Sequence, residues 1–149
     1  MTETPVRRLS IKGITIGAVV DIVATNIVLM PLGIYLAATI HLERYSREES
    51  AKVLAAAMKQ DPVVYGIQIG LGALCSILGG YVAARIAGRS MILNGALSSI
   101  LCVGFGVYTM IFSPLDTTPL ITHLLFFVGS VGCGAAGGYL RQRMLKPAN

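Results

Sequence analysis

Asp21 is the residue of this sequence whose type and position most clearly suggest chemistry, because it is the single charge between Lys12 and Glu43. A carboxylate near the centre of a membrane helix costs about 2.5–3.5 kcal/mol to insert, so it should face other helices or be protonated. Thr25 lies one helical turn further along the same helix face. Counted inward from the ends of the other apolar segments, the hydroxyl groups at a similar depth belong to Ser76, Ser98 and Ser99.

These five residues form a candidate ion or proton site with two possible roles. Pro31 removes a backbone donor and leaves the carbonyl of Ile27 free, which predicts a kink in the same helix. A kinked helix with a carboxylate and neighbouring hydroxyls is typical of a proton or cation relay. It is also typical of a hydrogen-bonded structural joint between helices, so both roles stay open at this point.

Two histidines lie toward the other end of the apolar segments, His41 after the first and His123 about one turn into the fourth. Glu43 and Asp116 are near them in sequence, so these residues suggest a candidate external metal or pH-sensing site. Histidines at a membrane interface are more often only interfacial. The sequence leaves open whether these two bind anything.

Other catalytic or cofactor signatures are absent or misplaced. The stretch Gly132–Gly137 spells G-x-G-x-x-G, but it lies inside an apolar segment and not after a strand. The cysteines lack metal-ligand spacing and are expected to be small packing residues; they are Cys75, Cys102 and Cys133. Without a nucleophile–base pair, the sequence predicts no metal, no cofactor and no enzymatic activity.

Composition and charge spacing place these residues in a membrane. The chain has 149 residues, of which 54% are hydrophobic and 13% charged, about half of the ~25% charged in soluble domains. This excludes a soluble enzyme, a disordered chain and a nucleic-acid-binding protein. Spanning a bilayer takes about 20 apolar residues, and the absence of strand alternation excludes a barrel. The uncharged stretches predict an all-α protein with four transmembrane helices near 14–40, 63–86, 91–112 and 119–140.

Basic residues predict the orientation. Eight of the 12 Lys and Arg residues fall on the side of the two chain ends and four on the other, which puts both termini in the cytoplasm of an inner-membrane protein. The whole chain is expected to form one transmembrane domain. Its external loop, 41–62, has a capping box at Ser46 and Glu49 and predicts a short amphipathic helix. That helix lies on the membrane surface or forms a solvated arm.

Small residues recur every four positions in the second and fourth segments, which lets helix backbones approach closely. The predicted packing residues are Gly72, Ser76, Gly80, Ala84, Gly129, Cys133 and Gly137. They predict a tight bundle and leave open whether it also associates with a second copy or another membrane subunit. The partners expected are therefore the lipid bilayer and such a subunit, and not a nucleic acid.

The ends of the second and fourth segments match each other. Cys75–Tyr81 and Cys133–Tyr139 share a Cys, two Gly and a Tyr at an offset of 58 residues. The match predicts two parallel helical-hairpin repeats related by an axis along the membrane normal. The alternative is that both segments simply carry residues suited to a cytoplasmic helix end.

The link between the second and third segments carries a resemblance. Around Gly79–Arg89 and Asn94–Leu97, the chain resembles a loose group of small four-span prokaryotic membrane proteins of unknown function, which have a Gly-Gly, an arginine and a Gly-Ala there. The resemblance implies a fold type and no activity. The chain is also similar to the small multidrug transporters in having four spans and an acid in the first. It departs from them because it is longer, has Asp21 in place of Glu and has no Trp.

These observations favour a non-enzymatic membrane component that acts through helix–helix association, as an oligomer or as an accessory subunit. The alternative is a small proton- or cation-linked transporter in which Asp21 is the titrating group. The first predicts that Asp21→Asn leaves assembly intact, and the second that it abolishes transport.

Overall fold

In the computed structural model, residues 9–112 and 120–145 are described, and they are almost entirely helical. The helices are α1 (Ile11–Thr39), α2 (Arg47–Gln60), α3 (Pro62–Ala87), α4 (Met91–Phe112) and α5 (Leu120–Met144). A single 3₁₀ turn, Leu42–Arg44, lies between α1 and α2. The predicted all-α class is confirmed, and no strand occurs in the described residues.

Four of these helices, α1, α3, α4 and α5, are long and apolar enough to cross a membrane. Only 17–28% of each apolar segment is buried inside the protein. Large apolar side chains such as Ile34 and Val128 are exposed, as expected where lipid is the solvent. The last helix ends at Met144, four residues beyond the predicted end at position 140, and its last turn contains Arg141 and Arg143. Residue 119, at which the fourth helix was predicted to begin, lies outside the described residues.

The chain forms two compact units. The first contains the described parts of Met1–Ile22 and Ala73–Asn149, and the second is Val23–Gly72. Helices α1 and α3 each contribute to both units, because they run through the boundaries at Ile22 and Gly72. The expected single transmembrane domain stays a prediction.

Backbones of the first unit approach one another at glycines. A Cβ on Gly17 of α1 would lie 2.7 Å from the carbonyl oxygen of Gly79 on α3. A Cβ on Gly80 would collide with the backbone of Gly134 on α5, and one on Gly137 with the backbone of Ile77. These helices therefore touch backbone to backbone, the arrangement that small residues permit in a membrane.

The second unit contains α2, which begins at a capping box. Ser46 Oγ accepts a hydrogen bond from the Glu49 amide at 3.3 Å, and the Ser46 amide donates to Glu49 Oε2 at 3.2 Å. Asp61 caps the start of α3 in the same way, since its Oδ1 accepts from the amide of Val63 at 2.8 Å. A Cβ on Gly33 of α1 would lie 3.7 Å from the terminal methyl of Met58, so α2 packs near α1.

Candidate functional site

Asp21 lies in the first unit, where α1 and α3 are closest. Its side chain is only 3% exposed. A Cβ on Gly79 would lie 2.8 Å from Asp21 Cβ, so a larger residue at position 79 would push the carboxylate away from α3. The glycines at the crossing of α1 and α3 thus bring an acidic side chain into the centre of the unit.

The carboxylate of Asp21 accepts a hydrogen bond from Ser76 of α3, over 3.0 Å between Ser76 Oγ and Asp21 Oδ2. The Ser130 hydroxyl of α5 lies 3.4 Å from the same Ser76 oxygen. A serine hydroxyl has one proton, and that of Ser76 is directed to Asp21, so Ser130 is the donor to Ser76. The three side chains form a chain of hydrogen bonds that runs from α5 through α3 to α1.

Cys102 of α4 adds the remaining membrane-length helix to the same site. Its thiol is close enough to the Asp21 carboxylate to interact with it electrostatically. The buried carboxylate is therefore surrounded by side chains from α3, α4 and α5 together. Hydroxyl and thiol groups stabilise a carboxyl group in either protonation state, because each can donate to it or accept from it. Such a site can hold a proton or, with the carboxylate charged, a small cation.

The other predicted hydroxyls have surroundings of their own. Ser98 donates to the carbonyl oxygen of Gly95 at 2.8 Å, within its own helix. Ser99 lies against Gly134, and its oxygen is buried with no hydrogen-bond partner in the described residues. Thr25 is half-buried and belongs to the second unit. Ser76 is hydrogen-bonded to Asp21 in the structure, as the sequence predicted for this hydroxyl.

The predicted packing residues divide into two groups. Ser76, Gly80, Ala84 and Gly137 are buried in the first unit, and Cys133 is partly exposed. By contrast, no described atom lies within 4 Å of a Cβ placed on Gly72 or Gly129. Those two glycines lie outside the close helix contacts of the described chain.

The predicted hairpin repeat has no counterpart in these contacts. Gly79 and Gly137 are equivalent in the sequence match, yet Gly79 packs on α1 while Gly137 packs on α3. If α1 and α3 were repeated as α4 and α5, Gly137 would contact α4. The repeat stays a prediction of the sequence alone.

Ser130 and Cys102 are members of this site that the sequence did not predict. A signal was present, since both belong to strips of small residues at four-residue spacing, Ser130–Gly138 and Ser98–Gly106. The strips were interpreted only as packing surfaces. Small polar side chains serve both purposes in a membrane, because they allow close approach and also form hydrogen bonds.

Asn94 is a second polar contact that the site prediction missed. It is 0% exposed. Its Oδ1 accepts from the backbone amide of Ser10 at 2.8 Å, and its Nδ2 donates to the carbonyl oxygens of Arg89 and Ser90 at 3.0 Å each. This amide therefore ties the start of α1 to the start of α4.

The two histidines have different surroundings. His41 is exposed, with Nδ1 at 3.3 Å from Glu43 Oε1. His123 lines a groove between α4 and α5. Asp116 lies outside the described residues, and within those residues no three metal-ligating side chains come together.

No known protein family, curated protein or solved structure matches this chain. The resemblance to the loose group of four-span proteins accordingly stays a prediction.

Proposed function

We propose that the protein is a non-enzymatic, multi-pass inner-membrane component that associates through its helices with a second copy or with another membrane subunit. Both chain ends lie in the cytoplasm in this proposal. The four membrane-length apolar helices support the multi-pass arrangement, and the excess of basic residues near the chain ends supports the orientation.

The observation that carries this proposal is a second small-residue face on α5. Gly129, Gly132 and Ala136 are exposed and follow one another at spacings of three and four residues, so they form a single stripe. No described atom lies within 4 Å of a Cβ on Gly129 or Gly132. The opposite face of α5 is already filled by contacts within the chain at Gly134 and Gly137, so the outer stripe is free to contact another helix.

Energy transfer in liposomes tests this association. Full-length protein carrying donor or acceptor fluorophores should show energy transfer above the level of random collisions. The double substitution Gly129→Leu and Gly132→Leu should reduce it to that level, because the larger side chains hold a partner helix away. Gly70→Leu is the matched control, since Gly70 of α3 is also exposed without nearby atoms.

The expected control result is unchanged transfer for Gly70→Leu. Random-level transfer for the unmodified protein, together with no cross-linked product through α5 in the native membrane, would refute the proposal. Equal loss in the double variant and in Gly70→Leu would also refute it, because the α5 stripe would then have no special role.

A second candidate function is a small proton- or cation-linked transporter with Asp21 as the titrating group. It is supported by the burial of the carboxylate among hydroxyl and thiol groups from three other helices. In liposomes, such a protein should carry a pH-dependent flux that Asp21→Asn abolishes. Ser99→Ala is the control, because Ser99 is buried but lies outside the Asp21 contacts. Unchanged flux in Asp21→Asn would exclude this function.

A further inference from the structure

A groove of about 280 Å³ lies between α4 and α5, in the half of these helices nearest their connection. The side of α4 is apolar, with Val103, Gly106 and Val107. The side of α5 contributes His123, Ser130 and two phenylalanines. The lining is mostly apolar, and His123 and Ser130 are its polar side chains, so they are the positions at which water in the groove would hydrogen-bond.

Ser130 connects this groove with the buried carboxylate. It lines the groove, and its hydroxyl is 3.4 Å from Ser76 Oγ, which donates to Asp21 at 3.0 Å. His123 and Ser130 are seven residues apart, so they lie two turns apart on one face of α5, about 10 Å along the helix axis. Water occupies about 30 Å³ per molecule, so the groove has room for several waters between them.

We propose that the α4–α5 groove is the path by which protons reach Asp21, with His123 as the proton-exchanging residue of the groove and Ser130 and Ser76 as a two-hydroxyl relay. This inference rests on the second candidate function, since it assumes that Asp21 binds and releases protons. It assigns roles to His123 and Ser130 that go beyond Asp21 itself.

The transfer balances at each oxygen. A hydronium ion or a His123 imidazolium in contact with the groove water gives a proton to Ser130 Oγ. The original Ser130 proton moves to Ser76 Oγ, and the original Ser76 proton moves to Asp21 Oδ2. Each hydroxyl forms one O–H bond and breaks one, and no electrons are transferred. The net change is one proton delivered to the carboxylate, which becomes a neutral carboxyl group.

The direction of the hydrogen bonds suits this transfer. Ser76 donates to Asp21, and the Ser130 hydroxyl lies 3.4 Å from Ser76 Oγ, so a proton can pass from Ser130 to Ser76 and from Ser76 to the carboxylate. The groups that face Asp21 include Ser76 from α3 and the thiol of Cys102 from α4. In the groove, α4 contributes apolar side chains, so His123 is the titratable group among the lining residues.

Infrared spectroscopy of full-length protein in liposomes tests the path through the protonated Asp21 carboxyl group. Asp21→Asn identifies its C=O stretching band by difference. After a change from H₂O to D₂O, the rate at which the band shifts reports proton exchange at Asp21. We expect Ser130→Ala to slow the exchange at least about tenfold, because it removes one relay hydroxyl. Ser130→Thr keeps a hydroxyl and should retain most of the rate.

Ser99→Ala is the matched control, since it removes a buried hydroxyl that is outside the relay. It should leave the exchange rate unchanged. His123→Ala should slow the exchange. The inference would be overturned by equal rates in Ser130→Ala and the unmodified protein, by equal slowing in Ser99→Ala, or by an Asp21 carboxyl band that is absent at every pH.

The two proposals about Asp21 fail in different ways. If Asp21→Asn leaves flux unchanged while Ser130→Ala still slows exchange, the transport function is wrong and the path is right. If Asp21→Asn abolishes flux while Ser130→Ala exchanges at the unmodified rate, the carboxylate titrates by another route and the groove path is wrong.

Discussion

The hydroxyl of Ser76 donates a hydrogen bond to the carboxylate of Asp21 over 3.0 Å, although the two residues are 55 positions apart in sequence. Serine and aspartate both have short side chains, so the two helices must lie close together where this bond forms. The bond forms because Gly17 and Gly79 let α1 and α3 touch through their backbones. Close packing and the buried polar site are therefore parts of one arrangement.

Gly17→Ala should destabilise the protein by about 1–3 kcal/mol, because the added methyl overpacks the crossing of α1 and α3. It would lie 2.6 Å from Ala83 Cβ and 2.7 Å from the Gly79 carbonyl oxygen. Denaturant unfolding in detergent micelles measures the change. Gly104→Ala is the control, since its Cβ would meet no described atom within 4 Å. Equal stabilities for the two variants would contradict the packing described here.

Gly80→Leu and Gly137→Leu should unfold the single chain and not merely separate subunits. The space that a side chain would need is already occupied at both glycines, by the backbone of Gly134 beside Gly80 and by that of Ile77 beside Gly137. Far-ultraviolet circular dichroism and thermal unfolding at high detergent dilution, where subunits are apart, measure this effect. A folded Gly137→Leu monomer with normal stability would show that α5 does not approach α3 as closely as described.

Asn94→Leu should cost about 1–3 kcal/mol, since it removes a fully buried amide side chain that hydrogen-bonds to three backbone groups. The lost bonds are those to Ser10, Arg89 and Ser90. Amide hydrogen exchange should show the first turn of α1 opening more often than in the unmodified protein. Asn94→Asp serves as a comparison, because it keeps the acceptor for Ser10 but loses the amide donor. Unchanged protection at the start of α1 in Asn94→Leu would disprove this role.

The pKa of Glu49 should lie below its ordinary value of 4.5, because the Ser46 hydroxyl and then the Ser46 backbone amide donate hydrogen bonds to its carboxylate. A lowered folded-state pKa stabilises the start of α2 fully above pH 4.5, and this stabilisation is lost as pH falls through the lowered value. Nuclear magnetic resonance titration measures the midpoint. Ser46→Ala should raise it, and a midpoint that does not move would show that the capping box is not formed in solution.

The proposed orientation predicts that α2 and the chain ends lie on opposite sides of the membrane. Single cysteines placed at Gln60 and near either end, in a variant without the native cysteines, should react with an impermeant reagent from opposite sides of intact cells. Disrupted cells, in which all sites react, provide the control. Labelling from the same side would reverse the assignment of termini and with it the side from which the groove opens.

The sequence by itself determined the four membrane-length helices and the capping box that begins α2. Uncharged length, helix caps and the spacing of basic residues depend only on neighbouring residues, so a linear sequence contains them in full. The burial of Asp21 also followed from the sequence, because a carboxylate that faces lipid without a partner is too costly.

The tertiary structure decided which hydroxyls meet Asp21 and which glycines meet a backbone. Ser76 and Ser99 lie at similar depths, yet the structure shows Ser76 hydrogen-bonded to the carboxylate and Ser99 packed against Gly134. Gly129 and Gly137 are glycines of the same strip, yet Gly129 is exposed while Gly137 packs against the backbone of Ile77. Contacts of this kind depend on the rotation of each helix about its axis and on its neighbours, and these are set by packing among residues far apart in the chain.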